Sequence, residues 1–457
     1  MLNFADIKTI FFAGIGGIGM SALARYFLCQ GKAVRGYDRT LSAITAALEK
    51  EGAKITNQVE LGLLSDCDLL IYSPALSQED PYRVAAQKIG LPTLKRAQVL
   101  GEISKKYTTI AVAGTHGKTS VTCLLTWLLY AGKVPCTAFI GGVSRNFESN
   151  FVYHPESDIL ILEADEFDRS FLTLNPSIAV ITAVDPDHLD IYKDRRQFEE
   201  AFVQFARQIK EGGYLFCSPS TPVHLFKDIN IEIETYGKDN FYARVLSWEG
   251  LQIKLDFYAK GGQKWLSDVV YSQPGVHNLE NLSAALGVSY TLGLKPESLK
   301  QAISSYKGVK RRLEVAAASE QWVIIDDYAH HPTEIAATLR TIRKCFENYR
   351  LVVAFQPHLY SRTRDFAQDF ASALSLADKI FLLPVYAARE KKEQGETEKV
   401  IFQHLSKEQV DLVNLNIAAA QMIKELQPYT VLITMGAGDI DSIIPILLDE
   451  LKFYFSQ

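Results

Sequence analysis

At 457 residues the chain exceeds what one hydrophobic core serves, and its length predicts about three domains. A hydrophobic fraction of 47% with 22% charged residues is that of a folded globular protein, not of long disordered tails. The net charge of −5 denies it the basic footprint of a nucleic-acid binder, and no apolar run approaches the roughly 18 residues of a membrane span.

Met1 to Lys8 carries neither a basic n-region nor a long apolar core, so no secretory signal is expected. The six cysteines form no C-x-x-C pair, which suits reduced thiols in a cytoplasmic protein. Over 1–106 short apolar runs alternate with helical patterns. Strands are expected at 8–13, 33–37, 68–72 and around 92–94, in a parallel sheet with helices on it. The first run opens "IFFAGIGGIGM", where Gly14-x-Gly16-x-x-Gly19 leads into a helix and Asp38 closes the next run. Read alone, that pattern favours an NAD-dependent oxidoreductase.

A second unit starts at "YTTIAVAG", with further strands at 158–162 and 178–184 and a β-rich stretch between about Gly213 and Val270. In "TIAVAGTHGKTSVTCLLTWLL" a buried strand ends in a glycine turn, and Lys118, Thr119 and Ser120 open an apolar helix. Such a turn cradles phosphate: backbone N–H groups approach the oxygens, the lysine adds a charge and the threonine can ligate Mg²⁺. The strict P-loop pattern fails, because Val112 stands where its first glycine belongs. Glu163, followed by Asp165 and Glu166, ends one later strand, and His188 follows the next. A carboxylate and an imidazole at neighbouring strand ends suit Mg²⁺ ligation or an ATP-linked network. Asn278 and Asn281, three apart at a helix start, either cap that helix or read the edge of a base.

A third α/β unit begins near Arg312. "KGVKRRLE" at the junction reads as a solvated linker or as the source of an arginine for a γ-phosphate. "VIIDDYAHHPTE" ends a strand with Asp326 and Asp327 before His330, His331 and a helix at Pro332. "FQPHLYSRTRDF" adds His358, Arg362 and Arg364, and paired guanidiniums suit a carboxylate or phosphate.

With these segments in order the chain resembles the Mur ligase family, in particular its alanine-adding branch. The motifs "GIGGIGM", "GTHGKTS", "EADEFDRSF", "DPDHLDIY", "GVHNLENLSAA", "KGVKRR", "DDYAHHPTE", "FQPHLYSRTRDF" and "MGAGDI" carry the resemblance over essentially the whole chain. It implies an α/β protein of three domains, each built on a mainly parallel sheet. These are a Rossmann-like UDP-sugar domain at 1–106, a P-loop ATPase domain with an added β-rich part at 107–312, and a Rossmann-like amino-acid and ATP-closing domain at 313–457. The implied activity is an ATP-dependent ligase of cytoplasmic peptidoglycan precursor synthesis. It phosphorylates the lactyl carboxylate of UDP-N-acetylmuramate, and the amine of L-alanine then attacks the acyl phosphate. ATP and Mg²⁺ are the implied cofactors, with no nucleic-acid or membrane partner and a monomer or weak homodimer as the expected state.

By the same resemblance Gly14, Gly16, Gly17, Gly19, Met20, Asp38 and Ser73 hold the UDP-sugar. Gly114, Thr115, His116, Gly117, Lys118, Thr119 and Ser120 bind the ATP phosphates, with Asn278 and Asn281 along the adenine. Thr119, Glu163 and His188 are implied metal ligands, and Arg312 rather than Arg311 reaches the γ-phosphate. Asp327, Tyr328 and His330 line the cleft, and Arg362 or Arg364 holds the alanine carboxylate. The residues expected to act in catalysis are Lys118, Glu163, His188, Arg312 and His330. Two departures are visible: Val203 stands where several relatives carry a carbamylated lysine, and Leu359 where some alanine-adding members carry arginine. Within the family the rival is a recycling ligase that adds a tripeptide to the same nucleotide sugar. Gly17 and the "FQPHLYSRTRDF" segment favour the alanine branch.

Overall fold

The computed structural model describes residues 4–185, 192, 194–388, 390 and 397–454. Among them the chain forms three sheets of mainly parallel strands and one small antiparallel sheet. The first sheet comprises β1 (Thr9–Ala13), β2 (Ala33–Tyr37), β3 (Lys54–Thr56), β4 (Leu69–Tyr72) and β5 (Thr93–Lys95), in the order β3-β2-β1-β4-β5. This is a doubly wound arrangement whose strand order reverses between β1 and β4. The glycine loop after β1 and Ser73 after β4 therefore flank one crevice, and Ser73 N donates to Ala13 O at 3.1 Å.

The second sheet holds β6 (Thr108–Ala113), β7 (Cys136–Ser144), β8 (Ser149–Val152), β9 (Ile159–Glu163), β10 (Ile178–Ile181), β11 (Tyr214–Cys217) and β12 (Glu232–Thr235). Its order is β12-β11-β10-β6-β9-β7-β8; the β7–β8 edge hairpin is antiparallel and the other pairs are parallel. Ile110 to Ala113 of β6 are wholly buried, as a central parallel strand covered on both faces requires. The neighbours β10, β6 and β9 bring three strand ends together: Thr182, the 114–117 loop and Glu163. A three-stranded antiparallel sheet follows, from β13 (Tyr242–Glu249), β14 (Gln252–Tyr258) and β15 (Lys264–Tyr271).

The last sheet contains β16 (Glu314–Ala318), β17 (Trp322–Asp327), β18 (Arg350–Phe355), β19 (Lys379–Leu382), β20 (Val410–Leu412) and β21 (Thr430–Met435), in the order β16-β17-β21-β18-β19-β20. Edge strand β16 runs antiparallel to β17, and the other pairs are parallel.

Spatial proximity of the Cα positions divides the chain into two compact units: Met1–Arg244 with Leu255–Val269 and Glu280–Lys307, and Val245–Lys254 with Val270–Leu279 and Gly308–Gln457. The first two sheets share a unit because one hydrophobic core runs through both, from Ile10 and Phe12 to Phe202 and Leu215. Tyr26 of helix Ile18–Cys29 packs on Phe139, Phe151 and Tyr153 of the second sheet, with ring centroids 5.8, 6.3 and 6.5 Å apart. Asn150 Nδ2 also donates to Ile18 O at 2.6 Å. Along the chain, the expected strand at 178–184 stops at Ile181. Thr182 N and Oγ1 both donate to Ala113 O, turning the chain across the end of β6. No described helix is long and apolar enough to cross a membrane.

Candidate functional site

The loop after β6 is built for close backbone approach. Gly114 has φ +125°, and a Cβ there would collide with Thr182 Oγ1 and lie 2.7 Å from Ala183 N. Gly117 has φ +81°, and a Cβ on it would sit 2.6 Å from Asn281 Oδ1, so Asn281 lies directly against the loop. Only glycine fits these two corners. The helix Lys118–Ala131 begins immediately after, presenting its first N–H groups beside the lysine. Around it Thr115 N donates to Ala183 O, Asp185 N donates to Thr115 Oγ1, and His116 Nε2 lies 3.7 Å from Asp185 Oδ2.

Lys118 Nζ donates to Gly114 O at 2.6 Å and to both carboxylate oxygens of Glu166, at 2.7 and 2.9 Å. Glu166 is almost fully enclosed. Burial pulls the ammonium pKa down, but the charges of Glu166, Asp165 and Glu163 and the Glu166 hydrogen bond together outweigh it, so the net shift is upward. Lys118 is therefore a fixed cation. Glu163, at the end of β9, accepts the Gly141 N–H at 2.6 Å and bonds the Thr119 side chain. Burial raises its pKa, against the pull of Gly141, Lys118 and Thr119. A half-buried carboxylate beside a threonine hydroxyl at a glycine loop fits a hard cation that takes its remaining ligands from water and phosphate. Among the described residues no group of three His, Cys, Asp or Glu is arranged to hold a metal, and His188 lies outside those residues.

The first glycine loop differs. The N–H groups of Gly14 and Ile15 both donate to Tyr37 O, and Gly16 N donates to Asp38 Oδ2 at 2.8 Å. Asp38 Oδ1 also accepts Thr40 N, so this carboxylate holds the loop closed. The helix N-terminus stays open, because Ile18, Gly19 and Met20 sit in its first turn and have no intrahelical acceptor. Met20 is buried, and Gly14 packs against Ser73, whose Cβ lies 3.0 Å from where a glycine Cβ would stand.

In the second unit three neighbouring strand ends again carry polar residues. Arg311 donates to Gly436 O (2.6 Å) and Gly438 O (3.1 Å), and its guanidinium lies 3.2 Å from Asp441 and 3.4 Å from Asp326. Arg312 by contrast lies 3.9 Å from Glu334 and 5.0 Å from the centre of the Tyr328 ring. Asp327 clamps the turn by accepting Leu313 N (2.7 Å) and Ala329 N (2.8 Å), and burial raises its pKa to about 6. His330 contacts Tyr328 O (3.0 Å) and Glu334 (3.5 Å), and burial lowers its pKa to about 4, leaving it neutral at pH 7. Its ring also meets His358, which stacks on Tyr386. Arg362 is buried, whereas Arg364 is half-exposed and paired with its neighbour Asp365 at 2.8 Å. Asn278 is buried and donates to Pro274 O at 2.9 Å. Val203 is buried in helix Arg195–Ala206.

Sequence reading left two residues without a role. Glu166 had a visible signal, since it lies in the same acidic run as Glu163, but nothing local told which carboxylate would take the lysine. Arg96 had none: it opens a helix 77 positions from the glycine it covers.

Three family models match in succession: "Mur ligase family, catalytic domain" at 9–108, "Mur ligase middle domain" at 112–289 and "Mur ligase, glutamate ligase domain" at 311–438. The UDP-N-acetylmuramate–L-alanine ligase of Porphyromonas gingivalis is 39% identical over 448 residues, covering 96% of this chain and 98% of the relative. That of Parabacteroides distasonis is 39% identical over 456 residues, covering 97% of each. Among solved structures, the UDP-N-acetylmuramate–alanine ligase of Thermotoga maritima superposes with a TM-score of 0.83 at 27% identity, over 98% of this chain and all of that one. A murein peptide ligase from Psychrobacter arcticus shares the fold at a TM-score of 0.70 and 23% identity, over 97% of this chain and 98% of that one. With three models in chain order and relatives alike over nearly their whole length, the chain belongs to the Mur ligase family.

Proposed function

We propose that this protein is the ATP-dependent ligase that joins L-alanine to the lactyl carboxylate of UDP-N-acetylmuramate. The observation that carries the reading is the pairing of two unlike glycine loops in one chain. One has its own half-buried lysine beside Thr119 and Glu163, suited to a nucleotide whose phosphate reacts. The other has no lysine, suited to a nucleotide that is only held. The names of the 39% identical relatives select the sugar and the amino acid. A dehydrogenase built on the first loop leaves Lys118, Thr119 and Glu163 without work.

A carboxylate is a poor electrophile, so a lactyl oxygen first attacks the γ-phosphorus of ATP and ADP departs. The amine of L-alanine then attacks the acyl carbon, loses a proton, and the tetrahedral intermediate expels phosphate. Charge on the transferring phosphoryl group dominates the first step, and charge on the departing phosphate and the tetrahedral oxygen the second. Lys118 is proposed to neutralise β- and γ-oxygens, helped by the N–H groups of the 114–120 turn. Thr119 and Glu163 would hold Mg²⁺, which when bound neutralises phosphate charge and orients it. Arg312, the less engaged of the two junction arginines, is offered to phosphoryl oxygen. Asn281 and Asn278 are assigned to the adenine. Tyr328 and neutral His330 shape the amino-acid pocket, and buried Arg362 takes the alanine carboxylate in preference to Arg364. Gly14, Gly16, Gly17, Gly19, Met20 and Ser73 are assigned to the UDP-sugar, with Asp38 bracing their loop. On this reading segments 1–106, 107–312 and 313–457 serve the UDP-sugar, ATP and the amino acid, in the cytoplasm where such nucleotides are made.

The test is phosphate release with substrates omitted in turn. Release should require ATP, Mg²⁺, UDP-N-acetylmuramate and L-alanine together. Release with a tripeptide in place of alanine, and none with alanine, would transfer the assignment to the recycling ligase.

A further inference from the structure

Arg96 follows β5 and begins the helix Arg96–Ser104, yet its side chain reaches the glycine loop after β1. Its guanidinium lies against Gly19, in the first turn of helix Ile18–Cys29, with Nη1 nearest. A Cβ on Gly19 would overlap Nη1 and lie 2.9 Å from Cζ. The third glycine of the pattern thus makes room for an arginine, where a dinucleotide fold uses it for helix–strand packing.

The placement is electrostatically uncomfortable as it stands. The N-terminus of a helix carries partial positive charge and open N–H groups, and a guanidinium laid against it adds a full one. The ion pair it makes, with Asp165 Oδ2 at 3.8 Å, is longer than a hydrogen bond and partly exposed to water. The Nε of Arg96 is enclosed and has no hydrogen-bond partner among the described residues. The Arg96 side chain as a whole is one-fifth exposed. An anion lying between Arg96 and the N–H groups of Ile18, Gly19 and Met20 would satisfy both positive groups at once. A diphosphate fits, because it offers several oxygens to a forked donor.

We propose that Arg96 is a substrate-binding residue that grips the pyrophosphate of the nucleotide sugar and supplies the cation the first loop lacks. The proposal rests on the reading that this loop holds the UDP moiety. Asp165 lies 3.8 Å from the guanidinium, and it sits two residues from Glu163. One arginine therefore links the loop that holds the sugar nucleotide to the acidic run of the second loop.

The test compares the full-length protein with Arg96→Gln and Arg96→Lys, measuring inhibition by UDP and by uridine together with the KM for ATP. Arg96→Gln should weaken UDP about 10–100-fold, the loss of a charge-assisted forked contact, while uridine inhibition and the KM for ATP stay unchanged. Arg96→Lys should recover part of the UDP affinity. Gly19→Ala supplies an independent arm, since its methyl group displaces the guanidinium without removing it. It should weaken UDP in the wild-type background, and by a smaller factor in Arg96→Gln. If the wild-type protein fails to bind UDP at all, the reading of the loop falls. UDP binding equally well to wild type and Arg96→Gln overturns the role of Arg96 alone. Equal losses for UDP and uridine would make Arg96 a scaffold residue and also overturn it.

Discussion

The two glycine loops solve one problem in different ways. After β1, the N–H groups of Gly14, Ile15 and Gly16 are spent within the protein, on Tyr37 O and Asp38, and only the helix N-terminus remains open. After β6, the loop carries its own cation, and Lys118 is held in place by Gly114 O and the Glu166 carboxylate. A lysine fixed this way is costly to bury, and Glu166 offsets that cost. Such an arrangement suits a phosphate whose charge changes during the reaction. A loop without an internal cation suits a phosphate that passes through the reaction unaltered.

That contrast can be broken at Lys118 first. Lys118→Ala should lower kcat by on the order of 10³-fold while UDP inhibition stays at the wild-type value. A variant losing UDP affinity to the same extent would mean that the two loops serve one nucleotide. Next in size is Arg362→Ala, expected to raise the KM for L-alanine about 10–100-fold, as loss of a buried charged contact does. Arg364→Ala should change it little, because that side chain faces water beside Asp365. The reverse order in steady-state kinetics would hand the carboxylate to Arg364.

A smaller contrast lies in the glycines themselves. Gly114→Ala forces a side chain into φ +125° and against Thr182, and should cost about 2–3 kcal/mol of stability as well as ATP affinity. Gly17 has φ −62°, and a Cβ there would meet nothing nearer than 3.6 Å. Gly17→Ala should therefore leave the unfolding temperature unchanged and report only on room for the nucleotide sugar. Thermal unfolding of both variants checks the pair, and equal destabilisation would mean that the first loop is as tightly cornered as the second.

Local chemistry made much of this molecule legible. The run Thr109–Ala113 is apolar and β-prone, Gly114 and Gly117 break it, and Lys118 opens an apolar helix, so strand, turn and phosphate site follow from about twenty neighbouring residues. The parallel sheets were legible for the same reason, through alternating apolar runs and helical periods. Short edge elements such as β3, β16 and β20 were not read, because three to five residues with exposed positions carry little periodic signal. The partner of Lys118 was narrowed to an acidic run, but the choice of Glu166 over Glu163 depends on how the chain turns after β9.

Sequence alone therefore laid out the patterns present: two glycine loops at strand ends, an acidic strand end and a cluster of histidines and arginines, since each is a contiguous pattern with a local physical cause. Tertiary structure decided which of these groups meet. It laid Arg96 on Gly19 and Asn281 on Gly117, buried Arg362 while leaving Arg364 in water, and occupied Arg311 so that Arg312 is the less engaged of the pair. Those outcomes depend on strand order and on packing between segments far apart in the chain, which no local pattern encodes.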